Sequence, residues 1–248
     1  MSRTVVVTGG SRGIGRSTVH RFAALGDSVV AVGRDVAALE EVSALHPERV
    51  RVAVCDVTDE VAVIALMREL GSVDVLVNSA GISDSAPLHR ISLESWNAQL
   101  ATNATAVFLF TREVIADMRA RGDGRIVTVA STAGKAGAAY AGAYSASKHA
   151  AIGVMRTAAA ELAGTRATAN AVCPAFVDSE MTEVSAARIA ARTGRSPEES
   201  IEALAKLAPL GRLLDPGEVA DAVVWLASPV AAAINGQTIV LDGGGIQT

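Results

Sequence analysis

The chain has little cysteine. Its two thiols, Cys55 and Cys173, form no CxxC pair and stand apart from the four histidines, which excludes a disulfide framework and a cysteine-ligated zinc cluster. Aromatic residues make up only 3% of the 248 residues, too few for the stacking platforms that hold single-stranded nucleic acid. Positive charge is not in excess: 22 Lys and Arg against 26 Asp and Glu leave a net charge of −4, with no basic footprint for DNA, RNA or an anionic membrane. No run of about 18 consecutive apolar residues occurs, so no bilayer-spanning helix is expected. The opening MSRTVVVTGG lacks the charged start, apolar middle and small-residue cleavage site of a secretory signal. With both cysteines expected as buried thiols, the reducing cytoplasm is the expected location.

What is present is apolar and regular. Half of the residues are hydrophobic and 22 are glycine, the composition of a folded globular chain, and the length suits one domain over 1–248. Strands are expected at Thr4–Thr8, Ser28–Val32, Val50–Val54, Val73–Val77, Arg125–Ala130, Thr168–Val172 and Gln237–Leu241. The early ones are continuous apolar runs rather than alternations, the mark of strands buried on both faces. Between them lie helical patterns over about 13–25, 36–45, 59–70, 92–118, 142–162 and 216–227, with Ser92 a candidate N-cap and Pro216 at a first helical position. Residues 178–209 are expected to be irregular and partly helical, Pro197 opening a helix. The alternation predicts an α/β doubly wound fold: a seven-stranded, mostly parallel sheet with helices on both faces.

The segment TGGSRGIG, Thr8–Gly15, falls between the first strand and the first helix, where a dinucleotide site belongs. Glycines at 9, 13 and 15 permit a tight turn and close backbone approach to a pyrophosphate, and the helix N-terminus adds N–H donors and positive potential. Gly9, Ser11, Arg12, Gly13, Ile14 and Gly15 are the expected contacts. A glycine turn without a ligand is the plainer alternative, since the spacing is Gly-x-x-x-Gly-x-Gly. An acidic residue ending the second strand would bind a ribose 2′-OH and repel a 2′-phosphate. Here Val32 is followed by Gly33 and Arg34. Arg34 and Arg12 converging there would suit a phosphate dianion, so NADP(H) is favoured over NAD(H). Asp35 opposes that reading unless it turns away to cap the next helix.

A second motif is YSASKH, Tyr144–His149. Tyr144 and Lys148 are four apart on a predicted helix and share a face. An ammonium beside a phenol lowers its pKa from about 10. Such a phenol can protonate a forming alkoxide, or take a proton from an alcohol in reverse. By itself the pair also reads as an amphipathic helix with a snorkelling lysine.

CDV at 55–57, NSAG at 78–81, Asn103, Ser131 and CPAFVDS at 173–179 stand around these motifs. The ordered set resembles the short-chain dehydrogenase/reductase family over nearly the whole chain. The resemblance implies a Rossmann-type domain and a role for each matching residue. Asp56 and Val57 would contact the adenine ring. Asn78, Ala80 and Gly81 would lie beside the cofactor, with Ser79 where the family has a second Asn. Ser131, thirteen residues before Tyr144, would orient the carbonyl and hydrogen-bond the developing oxyanion, with Thr132 a local competitor. Asn103 would order a water linked to the lysine; read without the resemblance, it is a helix-surface amide. Lys148 would bind the nicotinamide ribose and lower the Tyr144 pKa. Pro174 would open the loop beside the nicotinamide, Val177 would reach its carboxamide through the backbone, and Ser179 replaces the usual Thr. Ala175 stands where glycine is usual. The stretch to about Leu210 resembles a mobile substrate lid, with Glu180, Met181 and Val184 lining the pocket.

The combined reading is hydride transfer between NADP(H) and a carbonyl carbon, with Tyr144 managing the proton. ASTAGKAG, YSASKH and NAVCPAFV resemble segments of aromatic polyketide ketoreductases and 3-oxoacyl-thioester reductases. They imply a ketone substrate, linked to CoA or a carrier protein, reduced to a secondary alcohol. The Pro-Gly-Gly element some polyketide ketoreductases carry after the fourth strand is absent; residues 81–88 read GISDSAPL. The alternatives are an oxidative alcohol, steroid or hydroxyacyl dehydrogenase and an NADP(H)-binding sensor without turnover. A pure binder has no need of the Asn103, Ser131, Tyr144 and Lys148 set. The Ala-rich regions 92–118 and 142–162 are apolar on more than one face, so a homotetramer is expected, with no nucleic-acid, membrane or metal partner.

Overall fold

The strands are short β-branched runs, and successive side chains along each enter opposite layers. In β1 (Thr4–Thr8), Val5 and Val7 join one buried cluster and Val6 the other. A computed structural model describes residues 2–247. After β1 come α1 (Gly13–Ala24), β2 (Ser28–Gly33), α2 (Val36–Ala44), β3 (Val50–Val54), α3 (Glu60–Leu70) and β4 (Val75–Asn78). The second half runs α4 (Leu93–Leu100), α5 (Ala106–Arg121), β5 (Arg125–Val129), α6 (Gly142–Leu162), β6 (Thr168–Pro174), α7 (Glu180–Thr193), α8 (Pro197–Ala205), α9 (Pro216–Leu226) and β7 (Thr238–Leu241).

The strands form one seven-stranded sheet in the order β3-β2-β1-β4-β5-β6-β7, and every pairing is parallel. Val19 and Phe22 of α1, Leu39 of α2 and Val219 and Val223 of α9 cover one face. Leu66 of α3, Phe110 and Met118 of α5, and Ile152 and Met155 of α6 cover the other. This is the Rossmann-type doubly wound fold. Chain order reverses between β1 and β4, so a crevice opens at their carboxyl ends, where ligands bind in such sheets. Among the described residues, no helix is long and apolar enough to cross a membrane.

Three expectations are revised. β4 begins at Val75 rather than Val73; the Val73 carbonyl is taken by the Arg121 side chain, and the Asp74 carboxylate accepts from Thr4 N. The helix capped by Ser92 is not uniform, for a π-helical turn, Ala101–Thr105, joins α4 to α5. Residues 178–209 are more ordered than expected. α7 ends at Gly194 in the left-handed conformation, and α8 starts with a capping box between Ser196 and Glu199.

Candidate active site

The phosphate turn is shaped by what a Cβ would strike. Gly9 has φ +67, and a methyl there would lie 2.8 Å from Ala80 Cα; a methyl on Gly15 would lie 2.0 Å from the Gly9 carbonyl oxygen. Only glycine allows this approach of β1, α1 and the segment after β4. Thr8, which the sequence motif leaves unassigned, locks the third member in place. Its Oγ1 accepts from Ser79 N at 3.0 Å and Ala80 N at 3.1 Å. Ser11 lies against Gly33 at the end of β2, Gly13 faces Ser179, and Ile14 packs on the core. Among the described residues, no side chain caps the start of α1. Its first-turn amides and dipole are therefore available to an anion.

The two guanidiniums assigned to a phosphate are engaged by different carboxylates. Arg12 Nη1 donates to Glu180 Oε1 and Oε2 at 2.8 and 2.6 Å, and its Nη2 to Asp35 Oδ2 at 2.5 Å. Arg34 is exposed and lies 3.5 Å from Asp56. Asp35 does cap α2, its Oδ1 accepting from Ala38 N at 3.1 Å, but its other oxygen faces Arg12. That amide and the Arg12 guanidinium hold its carboxyl below the ordinary range. Asp56 accepts from Thr58 N and Oγ1, which with Arg34 hold its pKa low as well. Val57 is buried beside it.

Asn78 and Asn103 are both fully inside. Asn78 Nδ2 donates to Thr111 Oγ1 at 3.3 Å, while its Oδ1 is buried without a partner among the described residues. Asn103 sits on the π turn rather than on a helix surface. Its Oδ1 accepts from Ile82 N at 2.8 Å, and its Nδ2 donates to Ile82 O and Ser147 Oγ, each at 2.9 Å. Ser147 Oγ in turn donates to the Tyr144 carbonyl at 2.8 Å. The amide thus ties the segment after β4 to the helix that carries Tyr144. A methyl on Gly81 would lie 3.2 Å from Asn103 Oδ1 and 3.5 Å from Lys148 Nζ, so the three meet at one spot.

Ser131, two residues beyond β5, is buried, with Oγ accepting from Ala133 N; Thr132 opens the short 3₁₀ turn that follows. Tyr144 and Lys148 lie on the first two turns of α6. Lys148 Nζ donates to the Val129 carbonyl at 2.8 Å and lies 5.8 Å from the centre of the Tyr144 ring. Burial lowers the Lys148 pKa from 10.5 to about 8. The expected lowering of the phenol does not appear. Burial pushes Tyr144 up, and Ser131 works against it only in part. At neutral pH this phenol carries its proton.

Beyond β6, Ala175 N donates to Leu241 O, and Leu214 N donates to Phe176 O. The Val177 carbonyl accepts from Ser179 Oγ at 3.3 Å and Thr182 Oγ1 at 2.6 Å. Pro174, Val177 and Ser179 therefore lead straight into α7. Glu180 is turned to Arg12 rather than into a pocket, and Met181 and Val184 are partly exposed. Arg188 Nη1 reaches Asp84 Oδ1 at 2.7 Å and Arg192 Nη1 the Ser85 carbonyl at 2.9 Å, latching α7 to residues 81–88. Neither latch residue carries a motif signal.

A bound dinucleotide fits these features: a turn that excludes a Cβ at Gly9 and Gly15 and, among the described residues, an uncapped helix start and a buried acceptor on Asn78 with no protein donor. The family model described as short chain dehydrogenase matches residues 3–190. A putative ketoacyl reductase of granaticin polyketide synthase from Streptomyces violaceoruber is 40% identical over 96% of this chain and 91% of its own. A 3-oxoacyl-[acyl-carrier-protein] reductase from Vibrio cholerae is 33% identical over 98% of this chain and 96% of its own. A crystal structure of an actinorhodin polyketide ketoreductase variant with NADPH superposes with a TM-score of 0.91 at 35% identity, covering 98% of this chain and 97% of that one.

Proposed function

The chain belongs to the short-chain dehydrogenase family and is an NAD(P)-dependent oxidoreductase of the ketoreductase type, and from that premise we propose that it reduces a 3-oxoacyl thioester or polyketide-like ketone with NADP(H), Tyr144 donating the proton. The observation that carries this reading is the meeting of Asn103, Ser131, Tyr144 and Lys148 beside the glycine turn, with the phenol held protonated by burial.

When bound, the cofactor supplies a hydride to the carbonyl carbon. Tyr144 passes its proton to the carbonyl oxygen as negative charge grows there. Ser131 donates a hydrogen bond to the same oxygen from a position fixed by the end of β5. Lys148, held by the Val129 carbonyl, would bind the nicotinamide ribose hydroxyls. Asn103 and Ser147 position the first turn of α6 against residues 81–88. Gly9, Ser11, Gly13, Ile14 and Gly15 take the pyrophosphate, Asp56 and Val57 the adenine, and Asn78, Ala80 and Gly81 the inner flank of the cofactor. Pro174, Val177 and Ser179 border the nicotinamide. Arg12 and Arg34 meet the 2′-phosphate, Arg12 by leaving its carboxylate partners. Leu93 and Phe108, exposed on the 92–121 helical region, support a homotetramer. A light-scattering mass of one chain at micromolar concentration would reject that assembly.

The test is Tyr144→Phe with NADPH and acetoacetyl-CoA as substrate. Turnover falls by about 10²–10⁴-fold, the scale of a lost general acid, while NADPH binding persists. Turnover near the wild-type rate would overturn the reading.

A further inference from the structure

Arg12 occupies two places at once. Its backbone is the N-cap of α1 inside the glycine turn, and its side chain bridges Asp35 at the end of β2 and Glu180 at the first residue of α7. We propose that Glu180 is a selectivity-setting residue: as an anion already seated on Arg12 alongside Asp35, it competes with a 2′-phosphate for that guanidinium, and exerts its control from α7. The proposal rests on the reading that Arg12 meets the 2′-phosphate.

The competition is set up to be reversible. The three side chains are 54%, 42% and 57% exposed for Arg12, Asp35 and Glu180, and exposed pairs are weak and screened. Both carboxylates draw the guanidinium pKa upward, Glu180 more than Asp35. The two differ in what else holds them. Asp35 is fixed by capping α2 through Ala38 N, so it stays beside an arriving phosphate as a standing negative charge. Among the described residues, Arg12 is the only side-chain partner of Glu180, which is free to swing off. The cluster of Arg12, Arg34, Asp35, Asp56 and Glu180 sums to one negative charge. A neutral side chain at 180 brings it to zero, and the phosphate dianion meets a less hostile site. Selectivity is a difference of two affinities, and this charge acts on one of them only.

The experiment measures binding, by calorimetry at low ionic strength, of adenosine 2′,5′-bisphosphate and adenosine 5′-monophosphate, which differ only in the 2′-phosphate. Glu180→Gln is expected to raise the preference for the bisphosphate by roughly threefold, the scale of one exposed charge pair, with monophosphate binding unchanged. Glu183→Gln removes an equal charge from the first turn of α7, on a residue that among the described residues makes no ion pair with Arg12, and leaves the preference as in the wild type. A wild type that prefers the bisphosphate, with the same preference in Glu180→Gln, would overturn the proposal and leave the NADP(H) reading standing. Equal affinity for both nucleotides in the wild type would overturn that reading and the proposal with it.

Discussion

Two clusters of charged and polar side chains flank the crevice, and they are built on opposite principles. Around Lys148 the partners are buried and largely backbone: the Val129 carbonyl, the Ile82 amide and carbonyl, the Tyr144 carbonyl. Around Arg12 they are exposed carboxylates drawn from distant parts of the chain. A buried polar group left unpaired costs its full desolvation, so the first cluster holds one arrangement. An exposed ion pair exchanges its partner at small cost, so the second can be remade by a ligand. The proposed proton chemistry would sit on the rigid cluster and the proposed cofactor discrimination on the exchangeable one.

Three substitutions sharpen that contrast. Lys148→Met strikes the rigid cluster hardest and should cut kcat/KM by about 10²–10³-fold, the scale of losing one donor from a preorganised site. It also changes the pH dependence of stability. Because the folded-state pKa of Lys148 lies near 8, below its free value of 10.5, the unfolded chain binds more protons between those limits. The cofactor-free wild type should therefore gain stability from Lys148 as pH rises from about 8, and denaturant titrations of Lys148→Met should lack that gain. Asn103→Ala is next. It strips the Ile82 amide and carbonyl and the Ser147 hydroxyl of a partner, at about 1–3 kcal/mol for each group left unsatisfied. Calorimetry should show Tm lower by several degrees, at roughly 2–4 °C per kcal/mol for a chain of this size. Arg188→Ala, on an exposed latch, should move Tm by no more than about a degree, and 1 M salt should erase even that. A large, salt-insensitive loss at Arg188 would break the contrast.

The fold is legible in the sequence wherever local and tertiary preferences agree. The runs TVVVT and SVVAV can only be central strands, and Ser92 and Asp59 announce helix starts that the structure keeps. Tyr144, Lys148 and the glycine turn are legible because their spacing is itself the geometry. Asn103 is legible only through the family resemblance, since the π turn that rotates it inward has no residue signature. Thr8 and Ser147 look like ordinary strand and helix residues until their hydroxyls are seen to bridge elements. The partners of Arg12 include a residue 168 positions away, which no local pattern can reveal. The phenol's pKa runs opposite to the spacing argument because burial raises it more than the Ser131 hydrogen bond lowers it.

That last point bears the whole mechanism. The chain has two tyrosines, Tyr140 and Tyr144, so a Tyr140→Phe protein labelled with ¹³C-tyrosine reports one phenol. Titrated by NMR without cofactor, Tyr144 should still hold its proton above the ordinary phenol value of about 10. Ionisation well below that value would mean that the lysine, not burial, governs the group, and would contradict a protonated donor made by the fold alone.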